Sequence, residues 1–304
     1  MADIHYIDRL TKKEEREKVY GKFFIEMLYG SGLLARISSF IFRPLFARAL
    51  VFSRLYGAFQ KSRLSRFKVK SFVKAFHMDT SEFLDPVDSF RSFNDFFIRK
   101  LKPEVRPLAN GNNVAILPAD GRYLVYPNIL RSDGFLVKRQ KFSLDRLLQD
   151  PQLVHKYEQG ALVLARLCPT DYHRFHFPFD CIPEKTRTIK GPLFSVNPIA
   201  LKRNIHILSE NKRMITPLHT KNLGTVLYIE VGATYVGTIH QTFIPQKSYE
   251  KGDEKGYFSF GGSCIILLFE PSRIEFDQDL LEVSHRKMET RGLLGQPLGR
   301  ARCR

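Results

Sequence analysis

From about residue 106 onward the chain is written in short apolar runs broken by Gly, Pro and Asn, the pattern of a strand-rich domain. Three runs stand out: Gly160-Ala-Leu-Val-Leu-Ala-Arg-Leu167, Gly224-Thr-Val-Leu-Tyr-Ile-Glu-Val-Gly232 and Ser263-Cys-Ile-Ile-Leu-Leu-Phe269. The stretch before them reads as helical and ends in Phe93-Asn-Asp-Phe-Phe-Ile-Arg-Lys-Leu-Lys-Pro-Glu-Val-Arg-Pro107, where two prolines close the segment. The expectation is an α+β protein, with a helical, basic region over residues 1–105 and a β-rich domain over residues 106–304. With 304 residues, 43% of them hydrophobic, the chain has ample material to bury a core. No internal repeat or low-complexity linker divides it.

Charge narrows the partners. A formal net charge of +17 calls for something anionic: nucleic acid, an acidic membrane surface or a charged substrate. Between residues 27 and 78 there is no Asp or Glu, against ten Lys or Arg interleaved with Phe, Leu and Ile. The apolar stretches at residues 27–35 and 37–42 are cut by Arg36, Arg43, Arg48 and Arg54, and none approaches the ~18 apolar residues that span a bilayer. On a helix Arg36, Arg43, Arg54 and Lys61 return to one stripe, although Pro44 starts a new helix inside the window. Such a segment suits an interfacial anchor on an anionic membrane surface. It equally suits a helical subdomain that packs its Phe face on the rest of the protein. No zinc-finger spacing, helix-turn-helix signature or RNA-binding aromatic motif occurs, so nucleic acid is not an expected partner. The cysteines (Cys168, Cys181, Cys264 and Cys303) are scattered and read as reduced thiols, and the N-terminus lacks the apolar core of a secretory signal.

Four constellations in the strand-rich part can carry chemistry: Leu117-Pro-Ala-Asp-Gly-Arg122, Asp171-Tyr-His-Arg-Phe-His-Phe-Pro-Phe-Asp180, Glu230-Val-Gly-Ala-Thr-Tyr-Val-Gly-Thr-Ile239 and the run from Lys251 to Cys264. His173 and His176 suit acid–base work because imidazole titrates near neutral pH. No third ligand stands at a recognisable spacing from them, so no metal is expected. Asp120, a histidine of the pair and Ser263 have the composition of a serine-hydrolase triad. The nucleophile elbow of such an enzyme reads Gly-x-Ser-x-Gly, however, and here its last place is Ile265. The two glycines before Ser263 suit another reaction, because glycine tolerates the strained backbone that turns the Gly262 carbonyl toward the Ser263 hydroxyl. Attack there is an N-to-O acyl shift, and elimination from the ester leaves dehydroalanine, which hydrolyses to a pyruvoyl group.

Taken in order, the opening Tyr6-Ile-Asp-Arg-Leu-Thr-Lys12, Phe93 to Pro107, Pro118-Ala-Asp-Gly121, Tyr172-His-Arg-Phe-His-Phe-Pro178, Val231 to Ile239 and Lys251 to Ser263 make the sequence resemble the phosphatidylserine decarboxylase proenzymes. The resemblance implies a peripheral membrane enzyme on the cytoplasmic face of the cell membrane, acting on phosphatidylserine and releasing phosphatidylethanolamine and carbon dioxide. It implies self-cleavage between Gly262 and Ser263 into a β chain (1–262) and an α chain (263–304), which remain together as a heterodimer that could pair further. The cofactor is then a pyruvoyl group made from Ser263, an electron sink of the kind pyridoxal phosphate provides. Carried over by motif, Asp120, His176 and Ser263 match the self-cleavage triad, and His173 matches the histidine of decarboxylation, the proton donor to the α carbon. Two departures stand out. The family's Gly-Ser-Thr appears as Gly262-Ser-Cys264, which sets Cys264 beside the pyruvoyl, and its Asn-Glu-Arg appears as Asn211-Lys-Arg213. A serine hydrolase and a non-enzymatic basic membrane-binding protein remain the alternatives.

Overall fold

The computed structural model describes residues 4–17, 57–130, 143–201, 204–233, 239–260 and 263–302. Most of the basic window, with Arg36, Arg43, Pro44, Arg48 and Arg54, lies outside these residues, as do residues 234–238, Gly261, Gly262 and Cys303. The described chain is a β-rich mixed α and β structure.

Ten strands form the main sheet: His5–Asp8 (β1), Glu14–Arg16 (β2), Gly121–Tyr126 (β4), Ala161–Leu167 (β5), Ile182–Pro183 (β7), Arg187–Ile189 (β8), Arg213–His219 (β9), Thr225–Gly232 (β10), Ser263–Phe269 (β13) and Glu289–Gly292 (β15). Their order is β2-β1-β15-β4-β5-β13-β10-β9-β7, with β8 also on β9, and only β1 with β15 is parallel. A second sheet joins Ile239–Gln241 (β11), Glu254–Phe258 (β12) and Arg174–His176 (β6) in the order β11-β12-β6. A third joins Val114–Ile116 (β3), Ile274–Phe276 (β14) and Pro297–Ala301 (β16), in the order β14-β16-β3.

The three apolar runs picked out in the sequence are β5, β13 and β10, which lie side by side at the centre of the main sheet. They are apolar at successive positions because both faces are covered. Alternate residues of a strand point to opposite faces. Accordingly Ile265, Leu267 and Phe269 pack with Phe175, Phe177 and Phe258 of the second-sheet side, while Cys264, Ile266 and Leu268 pack the other way. There they meet the short helices Leu144–Leu148 (α3), Pro151–Tyr157 (α4), Pro198–Leu201 (α5) and Ile207–Glu210 (α6). Gly256 serves close approach in β12: a Cβ there would stand 2.1 Å from the His240 carbonyl oxygen of β11.

The described residues within 1–105 are helical only in part. Phe67–Ala75 (α1) and Phe93–Phe97 (α2) are helices, but β1 and β2 extend the main sheet. These strands are held by distant partners. Tyr6 to Asp8 pair with Glu289 to Arg291, and the Glu17 carboxylate meets the Arg166 guanidinium at 2.6 Å. Phe72, Phe83, Phe90, Phe93, Phe96 and Phe97 form one cluster with Phe260, so the described part of this region packs its aromatic face inward.

One charged pair ties the main sheet to the second sheet. Lys255 of β12 and Glu230 of β10 are both fully buried, with Nζ 2.5 Å from Oε1. Lys255 also donates to Gln241 Oε1 at 2.8 Å and to Thr216 Oγ1 at 3.1 Å. Removing one partner of a buried pair leaves the other charge uncompensated, which costs about 3–5 kcal/mol, whereas an apolar replacement of both is far milder. Lys255→Met is therefore expected to destabilise the protein by about 3–5 kcal/mol. The double variant Lys255→Met, Glu230→Leu should lose less, as read from urea unfolding midpoints of both.

Candidate active site

Ser263 opens β13, opposite Gly232 of β10 and Leu167 of β5, and has no exposed surface. By strand alternation it shares a face with Ile265 and Leu267, toward the second sheet. There its Oγ lies 3.3 Å from His173 Nδ1. The other ring nitrogen, Nε2, is 2.9 Å from the Cys168 carbonyl oxygen, which can only accept. Nε2 therefore carries the proton, and the bare Nδ1 accepts the hydrogen bond from the Ser263 hydroxyl.

The imidazole is clamped. Its backbone carbonyl accepts from Phe258 N–H at 2.9 Å, and Phe97 stacks on its ring with centroids 3.8 Å apart. Phe97 closes α2, whose start is set by Ser92 Oγ accepting from Asp95 N–H at 3.1 Å. In the same helix Asn94 Oδ1 accepts from Phe260 N–H at 2.9 Å, so α2 holds both the histidine ring and the approach to Gly261 and Gly262. Full burial drives the His173 pKa down to about 3, outweighing the opposing pull of Asp171. The ring is neutral at neutral pH.

His176 occupies different surroundings. Three residues on a strand end on opposite faces, so the spacing that suggested a pair separates the two rings. His176 Nδ1–H donates to the Gly252 carbonyl at 2.8 Å, and the Tyr172 hydroxyl donates to Nε2 at 3.3 Å. Burial lowers its pKa, while Asp120 and Glu254 pull the other way. Asp120, just before β4, accepts from Arg106 Nη2 at 2.7 Å and from Leu294 N–H at 2.8 Å. The structure thus joins Ser263 to His173 and keeps Asp120 and His176 in a second cluster, with no hydrogen bond between those two or from either to Ser263.

Cys264 lies beside residue 263 in the backbone but not in space. Its side chain packs on the opposite face of the sheet, among Leu162, Leu164 and Ile266, and burial pushes its thiol well up. Asn211, of the segment that departs from the family's Asn-Glu-Arg, donates from Nδ2 to the carbonyls of Phe194 and Gly232, each at 2.8 Å. It therefore braces the residue that faces Ser263 across the ladder. Among the described residues no group of three or more His, Cys, Asp or Glu is placed to hold a metal ion.

The family model for phosphatidylserine decarboxylase matches residues 93–299, from the first residue of α2 to β16. The chain belongs to the phosphatidylserine decarboxylase family. Its relatives include the phosphatidylserine decarboxylase proenzymes of Chlamydia pneumoniae and Chlamydia felis (strain Fe/C-56), each 50% identical over 301 residues. That alignment covers 99% of this chain and 98% and 99% of those two. The Chlamydia caviae proenzyme is 49% identical over 99% of both chains. The Ser263, His173, Asp120 and His176 surroundings described above fall inside the matched length except the Ser92 cap of α2.

The residues that motif reading passed over are Phe97, Asn94 and the Cys168 carbonyl. The first two sit in the segment Phe93 to Pro107, and their signal was the cluster of Phe around Asn94 directly after a capping Ser. The carbonyl left no signal in the sequence. For His173 the pH consequence has a definite sign. Its folded pKa lies below the unfolded 6.5, so its contribution to stability is complete above pH ~6.5 and is lost as pH falls toward about 3. An uncleaved Ser263→Ala protein should lose about 2 kcal/mol through this group between about pH 7 and pH 5. Adding His173→Leu should remove that share of the slope in urea melts across the same range.

Proposed function

We propose that this chain is a precursor that cleaves itself between Gly262 and Ser263, and that the product decarboxylates phosphatidylserine to phosphatidylethanolamine and carbon dioxide at a membrane surface. Membership of the family supports the reaction, and the contact of Ser263 Oγ with His173 Nδ1 at 3.3 Å carries the assignment of the site. The hydroxyl oxygen attacks the Gly262 carbonyl, the Gly262–Ser263 amide bond breaks, and an ester replaces it. Loss of the α proton of residue 263 then expels the Gly262 carboxylate and leaves dehydroalanine. Water hydrolyses the enamine to the ketone and releases ammonia.

The residues around position 263 fit a pyruvoyl group: its place is the first of a strand, preceded by two glycines and touched by a neutral imidazole. When formed, that group supplies a carbonyl sink for the electrons freed as carbon dioxide leaves. His173, beside it, is assigned the return of a proton to the α carbon. Asp120 and His176 keep the self-cleavage role that their motif suggests. The 3.3 Å contact favours a second reading, in which His173 also takes the hydroxyl proton in the precursor, since a buried neutral imidazole is a proton acceptor.

Burial speaks against the serine-hydrolase alternative. Ser263 and His173 are both 0% exposed in the uncleaved chain, and attack on the adjacent peptide bond needs no access from solvent, as attack on an external ester would. The two product chains have reason to stay together: residues 263–304 carry β13, which lies between β5 and β10 of the other piece. For the membrane, Leu64 and Phe67 are 73% and 72% exposed next to Arg63 and Arg66, an apolar and basic combination suited to an anionic interface. Among the described residues no helix is long and apolar enough to cross a bilayer.

Intact mass of the expressed protein should show two pieces, the shorter beginning at a blocked residue 263. A single full-length chain with full decarboxylase activity would overturn the proposal. Ser263→Ala should abolish cleavage and activity together. His173→Ala should still cleave and lose about 10²- to 10⁴-fold in kcat, with His176→Ala failing to cleave; the second reading instead has His173→Ala fail to cleave.

A further inference from the structure

A cavity of about 460 Å³ opens between the end of α1 and the β1, β2 and β4 side of the main sheet. Its lining mixes the apolar Phe76, Met78 and Leu101 with charged residues of both signs, Arg99, Glu82 and Asp120 among them. Arg99 differs from its neighbours there. Arg106 is paired with Asp120 and Glu82, Arg122 with Asp171, and Arg291 with Asp8. Arg99 is 5% exposed, and among the described residues it has no carboxylate in ion-pair contact. Its guanidinium lies between the rings of Phe83 and Phe96, at 4.9 and 5.0 Å from their centroids. Nη2 donates to the carbonyls of Thr170 and Asp171 at 3.0 and 3.2 Å, Nη1 reaches the Phe96 carbonyl at 3.5 Å, and the buried Nε has no acceptor.

Asp120, Asp171 and Glu82 favour the Arg99 charge from farther off, but each is already paired with Arg106 or Arg122, and a buried charge with no ion-pair partner of its own is costly unless something else supplies one. Desolvation lowers the Arg99 pKa to about 10, which still leaves the group cationic at neutral pH. The carbonyls it grips belong to the loop between Cys168, which fixes the His173 tautomer, and His173 itself. An anion bound to Arg99 from the cavity therefore sits one short loop away from the Ser263–His173 contact. Phe76, Met78 and Leu101 in the same lining suit the glycerol and acyl part of a lipid.

We propose that Arg99 is the receptor for the phosphodiester of the phospholipid substrate, which enters by this cavity. This rests on the decarboxylase reading above. The phosphodiester is the anion chosen because the serine carboxylate must leave as carbon dioxide. A cation fixed on that carboxylate would stabilise the ground state that has to be lost.

The test uses the processed full-length protein and calorimetric titration with glycerophosphoethanolamine, inorganic phosphate and ethanolamine, beside KM and kcat on phosphatidylserine in mixed micelles. Arg99→Gln should weaken glycerophosphoethanolamine at least tenfold, leave ethanolamine binding unchanged, and raise KM by a larger factor than it lowers kcat. Arg99→Lys keeps the charge without the fork and should fall between; if Arg99→Gln does not fold, a KM for Arg99→Lys equal to that of the wild type overturns the proposal. Unchanged glycerophosphoethanolamine binding in Arg99→Gln overturns it too, as does inorganic phosphate binding as tightly as the diester. Arg99-dependent diester binding in a wild type that releases no carbon dioxide would keep the anion site and remove the decarboxylase reading.

Discussion

Glu230 and Lys255 join the two sheets that carry the two halves of the site. Glu230 lies on β10, two residues from Gly232, the ladder partner of Ser263. Lys255 lies on β12, whose Phe258 N–H holds the His173 carbonyl. A hydrogen bond of 3.3 Å between a serine on one sheet and a histidine beside the other tolerates little sliding of the layers. An apolar interface is non-directional and resists sliding weakly. A buried pair with further bonds to Thr216 and Gln241 has one geometry, and leaving it strands charge in the core.

The central strand then distributes chemistry by its period. Its residues are buried on both sides, so every side chain of β13 is committed to one layer or the other. Ser263 goes to the side of β6 and β12, where an imidazole waits, and Cys264 goes to the helices. That division explains why a thiol can stand where relatives of the motif carry Thr. The position faces an apolar layer, in which a small side chain with a weak donor is well tolerated. The same alternation parts His173 from His176, although three residues separate them.

Much of this was legible in the sequence, and the exceptions share a cause. The runs at β5, β10 and β13 announced themselves because burial on both faces leaves an uninterrupted apolar signature. Ser263, His173, His176 and Asp120 stood out as candidates within local motifs, and of these the structure brings Ser263 and His173 into a hydrogen bond. What local sequence does not hold is long-range pairing. β1 and β2 are short and largely polar, and they become strands only through β15 and the Glu17–Arg166 contact. The choice of histidine at Ser263 depends on a carbonyl at Cys168 and a ring at Phe97, neither of which has a motif of its own. The reading of residues 1–105 as helical failed at its start for that reason.

Burial also decides what the imidazole can do at each stage. In the intact chain the largest influence on His173 is desolvation, which keeps the ring neutral and its Nδ1 free to accept a proton. A group with so low a pKa is a poor reservoir of protons near neutral pH, as a later donor has to be. Because exclusion of water causes the shift, any hydration of the site returns the pKa toward the ordinary 6.5. On the proposed cleavage, breaking the chain before residue 263 would free a strand end beside this ring, and a bound polar headgroup would bring further polarity with it. On that proposal a donor and an acceptor need not be two different histidines: one imidazole, dry before cleavage and wetter after it, would meet both requirements in sequence.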